Sequence, residues 1–598
     1  MSVKPTTRRD LLRGAAVAAA LPLIGNLSTG SAFASSPGRG GEDFGANVLI
    51  FDPSMGDAAI QAQVDAVFQI QQSNQFGTQR YALAFKPGTY NVDVNVGFYT
   101  HVLGLGESPD DVVINGHVTV DAQWLQGNGT QDFWRAAENL CIVPPDGLER
   151  WAVAQAGPMR RAHIKGDMSL WPSPPGNQWS SGGFLADSVV DGQVQSGSQQ
   201  QWLSRNDTFG SWTGSNWNMV FVGTQGAPAQ SFPSPPFTTV DQTPVVREKP
   251  FLTISDHGAY SVFVPALRRH STGTTWASGR TEGCSIPLSR FHVAKPGDSA
   301  DTINEALARG RHLLLTPGVY ALSSPIRVTR PGTVVLGLGL ATLQATHDNS
   351  LIEVDDIGDV SIAGVLLEAA SADSPVLLRV GHGRSRIRHA DDPTVLFDVY
   401  ARIGGAVAGG ATVSVQLDSN DVICDNFWLW RADHGDDGTV GWTVNPADTG
   451  LLVNGDRVTA YGLAVEHYQK YEVIWNGEQG RSYFFQNEHP YDVPTQSAWV
   501  HGSTNGYAAY KVADSVRDHQ AWGLGSYCVF DQEAHIYTDR AYEVPDTPGV
   551  VFTDLMIVCL NDANGGGIVH CINDAGGPVE NGFGVYNMKG YSDGVASV

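Results

Sequence analysis

Two glutamates, Glu466 in Val465-Glu466-His467-Tyr468 and Glu488 in Gln486-Asn487-Glu488, stand 22 residues apart in the chain. That interval is about one coil of a parallel β-helix, and neighbouring coils hold equivalent positions with backbones roughly 5 Å apart. Two carboxylates at that spacing, flanked by Trp475, Tyr483, Phe484 and Phe485, cannot both ionise cheaply. One is expected to keep its proton near neutral pH, the property that a general acid for glycosidic cleavage needs. Asp433, in Trp428-Leu429-Trp430-Arg431-Ala432-Asp433-His434-Gly435, precedes Glu466 by 33 residues, consistent with another coil plus a loop. A solvated ladder of acids fits the same spacing, which alone does not separate the two readings. Glu478, in Asn476-Gly477-Glu478-Gln479-Gly480, has a turn-like setting and is expected at the surface.

His434, His467 and His489 each stand beside an acid, yet no H-x-x-x-H or similar ligand spacing occurs. They are expected as hydrogen-bonding neighbours, with no metal at the site. Neither a G-x-S-x-G nor a G-x-G-x-x-G stands in the strand-turn-helix setting that its chemistry needs, and no organic cofactor is expected.

An internal repeat supplies elements able to hold such residues. A helix-like segment from Ala58 to Ser73 precedes Tyr81-Ala82-Leu83-Ala84-Phe85-Lys86-Pro87-Gly88-Thr89-Tyr90 and Val102-Leu103-Gly104-Leu105-Gly106. The order returns as Ala300 to Arg309, His312-Leu313-Leu314-Leu315-Thr316-Pro317-Gly318-Val319-Tyr320 and Val335-Leu336-Gly337-Leu338-Gly339. Short β-branched strands follow at spacings of roughly 20 to 25 residues, which suits β-helix coils. The expected fold is all-β, two tandem parallel β-helices, each begun by a helix over its open end. Its units are residues 35–280 and 296–598, with 281–295 as a turn-rich linker. The Pro- and Ser-rich stretch Pro228 to Pro236 reads as a long loop of the first half.

Residues 1–34 carry paired arginines in Thr6-Thr7-Arg8-Arg9-Asp10-Leu11-Leu12, a short apolar run from Ala15 to Ile24, and Ala32-Phe33-Ala34 as a small-residue cleavage site. They read as a twin-arginine export signal, so a secreted protein is expected. Six cysteines spread over 598 residues form no disulfide framework and read as buried thiols. The formal charge is −24 overall and −27 without the signal. Such a surface repels nucleic acid, anionic membranes and polyuronates but not a neutral polysaccharide.

Several runs resemble family 55 glycoside hydrolases, the bacterial exo-β-1,3-glucanases. They include Gly45-Ala46-Asn47-Val48-Leu49-Ile50-Phe51-Asp52-Pro53, Trp217-Asn218-Met219, Arg247-Glu248-Lys249-Pro250-Phe251, Trp430 to Gly435, Val465 to Tyr468 and Gln486 to Glu488. The resemblance spans nearly all of the chain beyond residue 34. It implies right-handed β-helices with substrate between them, laminarin-type β-1,3-glucan as the partner, inversion, and glucose released from the non-reducing end by a monomer without cofactor. Position by position, it implies Glu488 as general acid and Glu466, Gln155 and Ser181 around the attacking water. Asp433, Trp430, His434, Tyr491 and Trp179 become candidate sugar contacts, with Trp430 and Tyr491 as stacking surfaces. The segment Pro172 to Asn177 departs from the family pattern as a small insertion. The competing functions are a polygalacturonase or pectin lyase, and a non-catalytic glycan-binding β-helix.

Overall fold

The computed structural model describes residues 43–598, except 177, 371, 533–534 and 561–564. The export signal assigned to residues 1–34 lies outside the described residues.

The fold is all-β, in two parallel β-helices. In the first, nine strands stack in parallel from Val48–Phe51 through Tyr81–Phe85, Thr100–Gly104, Arg135–Ile142, Pro158–Ile164, Phe184–Ala186, Gln201–Arg205 and Asn218–Val222 to Phe237–Val240. In the second, one sheet climbs from Phe291–Ala294 through Ile423–Arg431, Thr459–Glu466 and Gly480–Glu488 to Val550–Cys559, and another from Ile326–Val328 to Gly567–Ile572. Each interior holds its own apolar core.

The two expected end helices are present at Asp57–Gln71 and Ala300–Ala308. The first buries Ile60, Val64, Val67 and Gln71, a stripe at helical spacing that covers what would otherwise be a bare coil end. Ser299 caps the second by accepting the Thr302 amide. The stretch from Pro228 to Pro236 is indeed a loop within the first half.

The expected linker is corrected by the structure. Residues 281–295 contain Gly283–Pro287, the third strand of an antiparallel sheet with Phe251–Ile254 and Tyr260–Pro265. The second helix begins at Phe291. The Gly, Ser and Pro residues that read as turns are tolerated because this small sheet is an edge structure, where a ladder can be short and irregular.

In the second half seven successive coils of the sheet facing the first half bend at the same place. Gly364, Asp398, Asn426, Gly462, Phe484, Gly523 and Asp554 all take positive φ between 48° and 68°, and the strand pairings align them in one column. The bend breaks the in-out alternation, so that side chains on both sides of the column turn toward the first half. Glycine is required at 462, where a Cβ would meet Phe184 at 3.1 Å and Leu203 at 3.2 Å.

Apolar residues from both halves merge across this face, with Phe184, Leu203 and Val220 against Leu336, Phe397 and Tyr461. Charges are buried among them. Arg160 donates to Asp398 and, from Nη1 at 2.8 Å, to Asp425; Arg205 donates to Asp425 from Nε at 2.9 Å and to both oxygens of Glu248 at 2.7 Å. Burial opposes charge on Arg160, but the carboxylates of Asp398 and Asp425 outweigh it and hold the guanidinium protonated. Asp425 thus anchors two arginines of the other half at once. Asp425→Ala is expected to cost about 3–5 kcal/mol in guanidinium unfolding, because both cations stay buried without their shared partner. A loss below about 1 kcal/mol would show that the cluster does not hold the halves together.

Candidate active site

The column of bends also sets the chemistry. Four residues beyond it on successive coils stand Trp430, Glu466, Glu488 and Tyr527, all buried and all on the side facing the first half. Thr459–Glu466 pairs with Gly480–Glu488 at an offset of 22 residues, Ala464 lying opposite Gln486. The His467 amide then donates to the Glu488 carbonyl at 2.7 Å, so the coil interval inferred for the two glutamates holds. Phe484 in a left-handed conformation is costly for a bulky side chain, the kind of strain that gathers at functional sites.

The carboxylates of Glu466 and Glu488 have different surroundings. Glu466 Oε1 accepts from Gln155 Nε2 at 2.8 Å and Oε2 from Trp428 Nε1 at 2.9 Å. Gln155 Nε2 also reaches Gln486 Oε1 at 3.2 Å. Gln155 belongs to the first half, so one amide of that half grips two rungs of the second. Glu488 accepts instead from the Tyr491 hydroxyl, three residues along the chain. The Tyr491 ring packs edge-on to His467 at 4.5 Å.

Ser181 is buried in the segment that follows Trp179, and its hydroxyl has no partner among the described residues. The adjacent Gly182 packs on Gln155, where an added Cβ would stand 3.3 Å from that side chain. Gln155, Gly182, Gln201, Asn426 and Gln486 line a cavity between the halves, and Gln155 Oε1, Gln201 Oε1 and Gln486 Nε2 are unpartnered there among the described residues. These are groups suited to hold water.

Asp433 and the histidines form a second group. His434 Nδ1 donates to Asp433 at 2.9 Å, and Gln75 approaches its other nitrogen at 2.5 Å. His467 donates from Nδ1 to the His489 carbonyl at 3.1 Å and has Nε2 3.8 Å from Asp433. Burial, with His467 alongside, holds His489 down to about 3, so its ring is neutral. His434 thus hydrogen-bonds an acid as expected, whereas His467 bonds the His489 carbonyl and His489 Nε2 lies 3.4 Å from the Ser526 hydroxyl.

The two stacking surfaces read from the sequence are both buried. Trp430 is 0% exposed, packed on Trp428 at 5.0 Å and Phe133 at 5.9 Å, with Phe76 parallel at 6.5 Å. It is part of the aromatic seam between the halves, because side chains past the bend turn inward toward the first helix. Tyr491 is only 8% exposed, and its hydroxyl is committed to Glu488. Trp179 and His434 stay half-buried. Glu478, expected at the surface, accepts the Arg517 and Asp518 amides in a turn and takes no part in the site.

Similarity to known proteins covers nearly all of the chain. Residues 291–488 match the LAM55 pectate lyase-like domain. An exo-β-1,3-glucanase of Streptomyces sp. (strain SirexAA-E / ActE) is 51% identical over 579 residues, 96% of this chain and 94% of that protein. The chain belongs to glycoside hydrolase family 55. The solved structure of sacteLam55A from Streptomyces sp. SirexAA-E superposes with a TM-score of 0.89 at 50% identity, covering 92% of this chain and 99% of that one. A variant of the same enzyme, solved in complex with glucose, gives the same TM-score over 93% of this chain. As a member of this family the protein is a glycoside hydrolase of the glucan 1,3-β-glucosidase type.

Three residues of this glycosidase site had escaped the sequence reading. Trp428 and Gln486 sit two positions before Trp430 and Glu488, and strand alternation puts them on the same side. Glu472 gave no signal, since it lies in the turn after Thr459–Glu466. Its carboxyl is buried, and burial, reinforced by the charges of Glu466 and Glu488, holds it well above the usual carboxylate range against the pull of Asn487. A carboxyl raised in this way keeps its proton after the unfolded chain has lost one, so its contribution to stability falls as pH climbs above the ordinary carboxylate range. Glu472→Gln, which does not titrate, is expected to gain stability relative to wild type between pH 5 and pH 8 in parallel unfolding curves. A difference that does not change with pH would mean the native carboxyl is ionised.

Proposed function

We propose that this protein hydrolyses β-1,3-glucan of the laminarin type from the non-reducing end, releasing glucose with inversion. Glu488 is the general acid, and Glu466, Gln155 and Ser181 hold the attacking water. The observation that carries the reading is the Gln155 bridge to Glu466 and Gln486, which joins the two halves at the rung of the paired acids. The activity named for the relative that matches over almost the full length, and the glucose held by a variant of sacteLam55A, support the substrate class.

The roles follow from the hydrogen bonds. Gln155 and Trp428 each donate to one oxygen of Glu466, and each oxygen keeps a lone pair for a proton of water. Gln155 Oε1 and Ser181 Oγ, both buried and unpartnered among the described residues, supply further contacts for that water. Tyr491 fixes the Glu488 side chain so that it can present its proton to the departing glycosidic oxygen. Export by the twin-arginine route and a monomeric state belong to the same proposal.

A polyuronate substrate fits less well. Of the cations near the acids, Lys470 pairs with Asp448 at 2.7 Å and Arg481 with Asp518 at 2.9 Å, so neither is free for a uronate.

Glu488→Gln should lower kcat on laminarin by about 10²–10⁴-fold, while a glucoside whose leaving group needs no protonation should be far less affected. Proton NMR of the first-formed glucose should show the α-anomer. Equal losses on both substrates, or activity on polygalacturonate instead, would overturn the assignment.

A further inference from the structure

On the first β-helix, away from Glu466 and Glu488, three donors of different chemistry converge from separate coils. Cys141 of Arg135–Ile142 lies directly opposite His163 of Pro158–Ile164 and opposite Val113, whose strand Asp110 precedes. One donor atom each from Asp110, Cys141 and His163 lies within 4.8 Å of the other two. The His163 Nδ1 is 2.6 Å from Asp110 Oδ1, and its Nε2 is 3.2 Å from Asp191 Oδ1 on the next coil. Cys141 is fully buried, whereas Asp110 opens to solvent.

We propose that Asp110, Cys141 and His163 form a binding site for a zinc-class divalent cation. A thiolate, an imidazole and a carboxylate are the ligand types that this borderline-soft ion takes, at bond lengths of about 2.0–2.3 Å. Those bonds separate tetrahedral donors by roughly 3–4 Å, which small rotations of these side chains reach. Asp191 accepts the Nε2 proton of His163, leaving Nδ1 for the metal, the outer-shell carboxylate arrangement common to histidine ligands. Trp276 packs against the imidazole at 5.6 Å and shields one side. The solvent side is left to water, and Lys165, 4.0 Å from Asp110 and 44% exposed, can swing clear of it. Binding displaces the thiol proton and the proton held between His163 Nδ1 and Asp110, so each ion captured forms one metal–sulfur bond and one metal–nitrogen bond and releases two protons to solvent. Bound metal would add a link between coils that His163 already joins through Asp110 and Asp191.

The test titrates Zn²⁺ and Co²⁺ into full-length, chelator-treated protein. The expected result is one equivalent of Zn²⁺ by calorimetry with proton release, a thiolate-to-cobalt charge-transfer band with Co²⁺, and a zinc-dependent rise in Tm. Cys141→Ser should abolish the cobalt band and weaken zinc binding at least tenfold, and His163→Ala should weaken it similarly. Both variants should keep wild-type turnover of laminarin, which doubles as the check that they fold. Failure of the wild type to take up stoichiometric Zn²⁺, or a cobalt band that survives Cys141→Ser, would overturn the proposal.

Discussion

The active site of this glycosidase depends on how two β-helices are held against each other. A flat contact between apolar sheet faces would allow them to slide, since hydrophobic contact is not directional. Fixed hydrogen bonds between buried charges do not. Arg160 and Arg205 of one half fork onto Asp398 and Asp425 of the other, and Glu248 closes the group from the first half's side. A second cluster, Lys249 with Glu138 at 2.5 Å and Asp398 at 3.8 Å, sits beside it. Because such charges are tolerated in the interior only in their paired arrangement, one docking geometry is favoured, and in it the Gln155 amide meets Glu466.

The other determinant is the stacked column of bends. A straight parallel strand would send alternate side chains into the coil, and a glutamate displaced by one residue would be buried in the core. A left-handed residue on each rung resets that alternation at a common place, so equivalent positions on neighbouring coils point into the same cleft. Glycine serves this at 364, 462 and 523, Asp or Asn at 398, 426 and 554, and phenylalanine against its preference at 484. Phe484 stands four residues before Glu488.

Much of this was legible in the chain. The repeated order of helix, strand, Pro-Gly turn and glycine-punctuated strand gave the two solenoids and both end helices, because it reflects local turn chemistry and coil length. The 22-residue interval gave the neighbouring-coil placement of Glu466 and Glu488 for the same reason. The resemblance, not the spacing, pointed to Gln155 and Ser181, since a contact between residues more than 300 positions apart leaves no local pattern. The antiparallel sheet at Phe251–Pro287 was missed because its Gly, Ser and Pro residues mimic a linker. Trp430 was misread as an open platform because composition shows an aromatic ring but not what covers it, and Glu472 was missed because its raised pKa comes from burial and from acids on neighbouring coils, which leave no local pattern.

The central claim is that the first helix acts on the chemistry of the second through Gln155 and Glu466. A double-mutant cycle with Gln155→Ala and Glu466→Gln, read as kcat on laminarin, tests it most directly. The account predicts that each single change lowers kcat and that the double mutant loses less than the two combined, with a coupling above about 1 kcal/mol. Fully additive losses would contradict it.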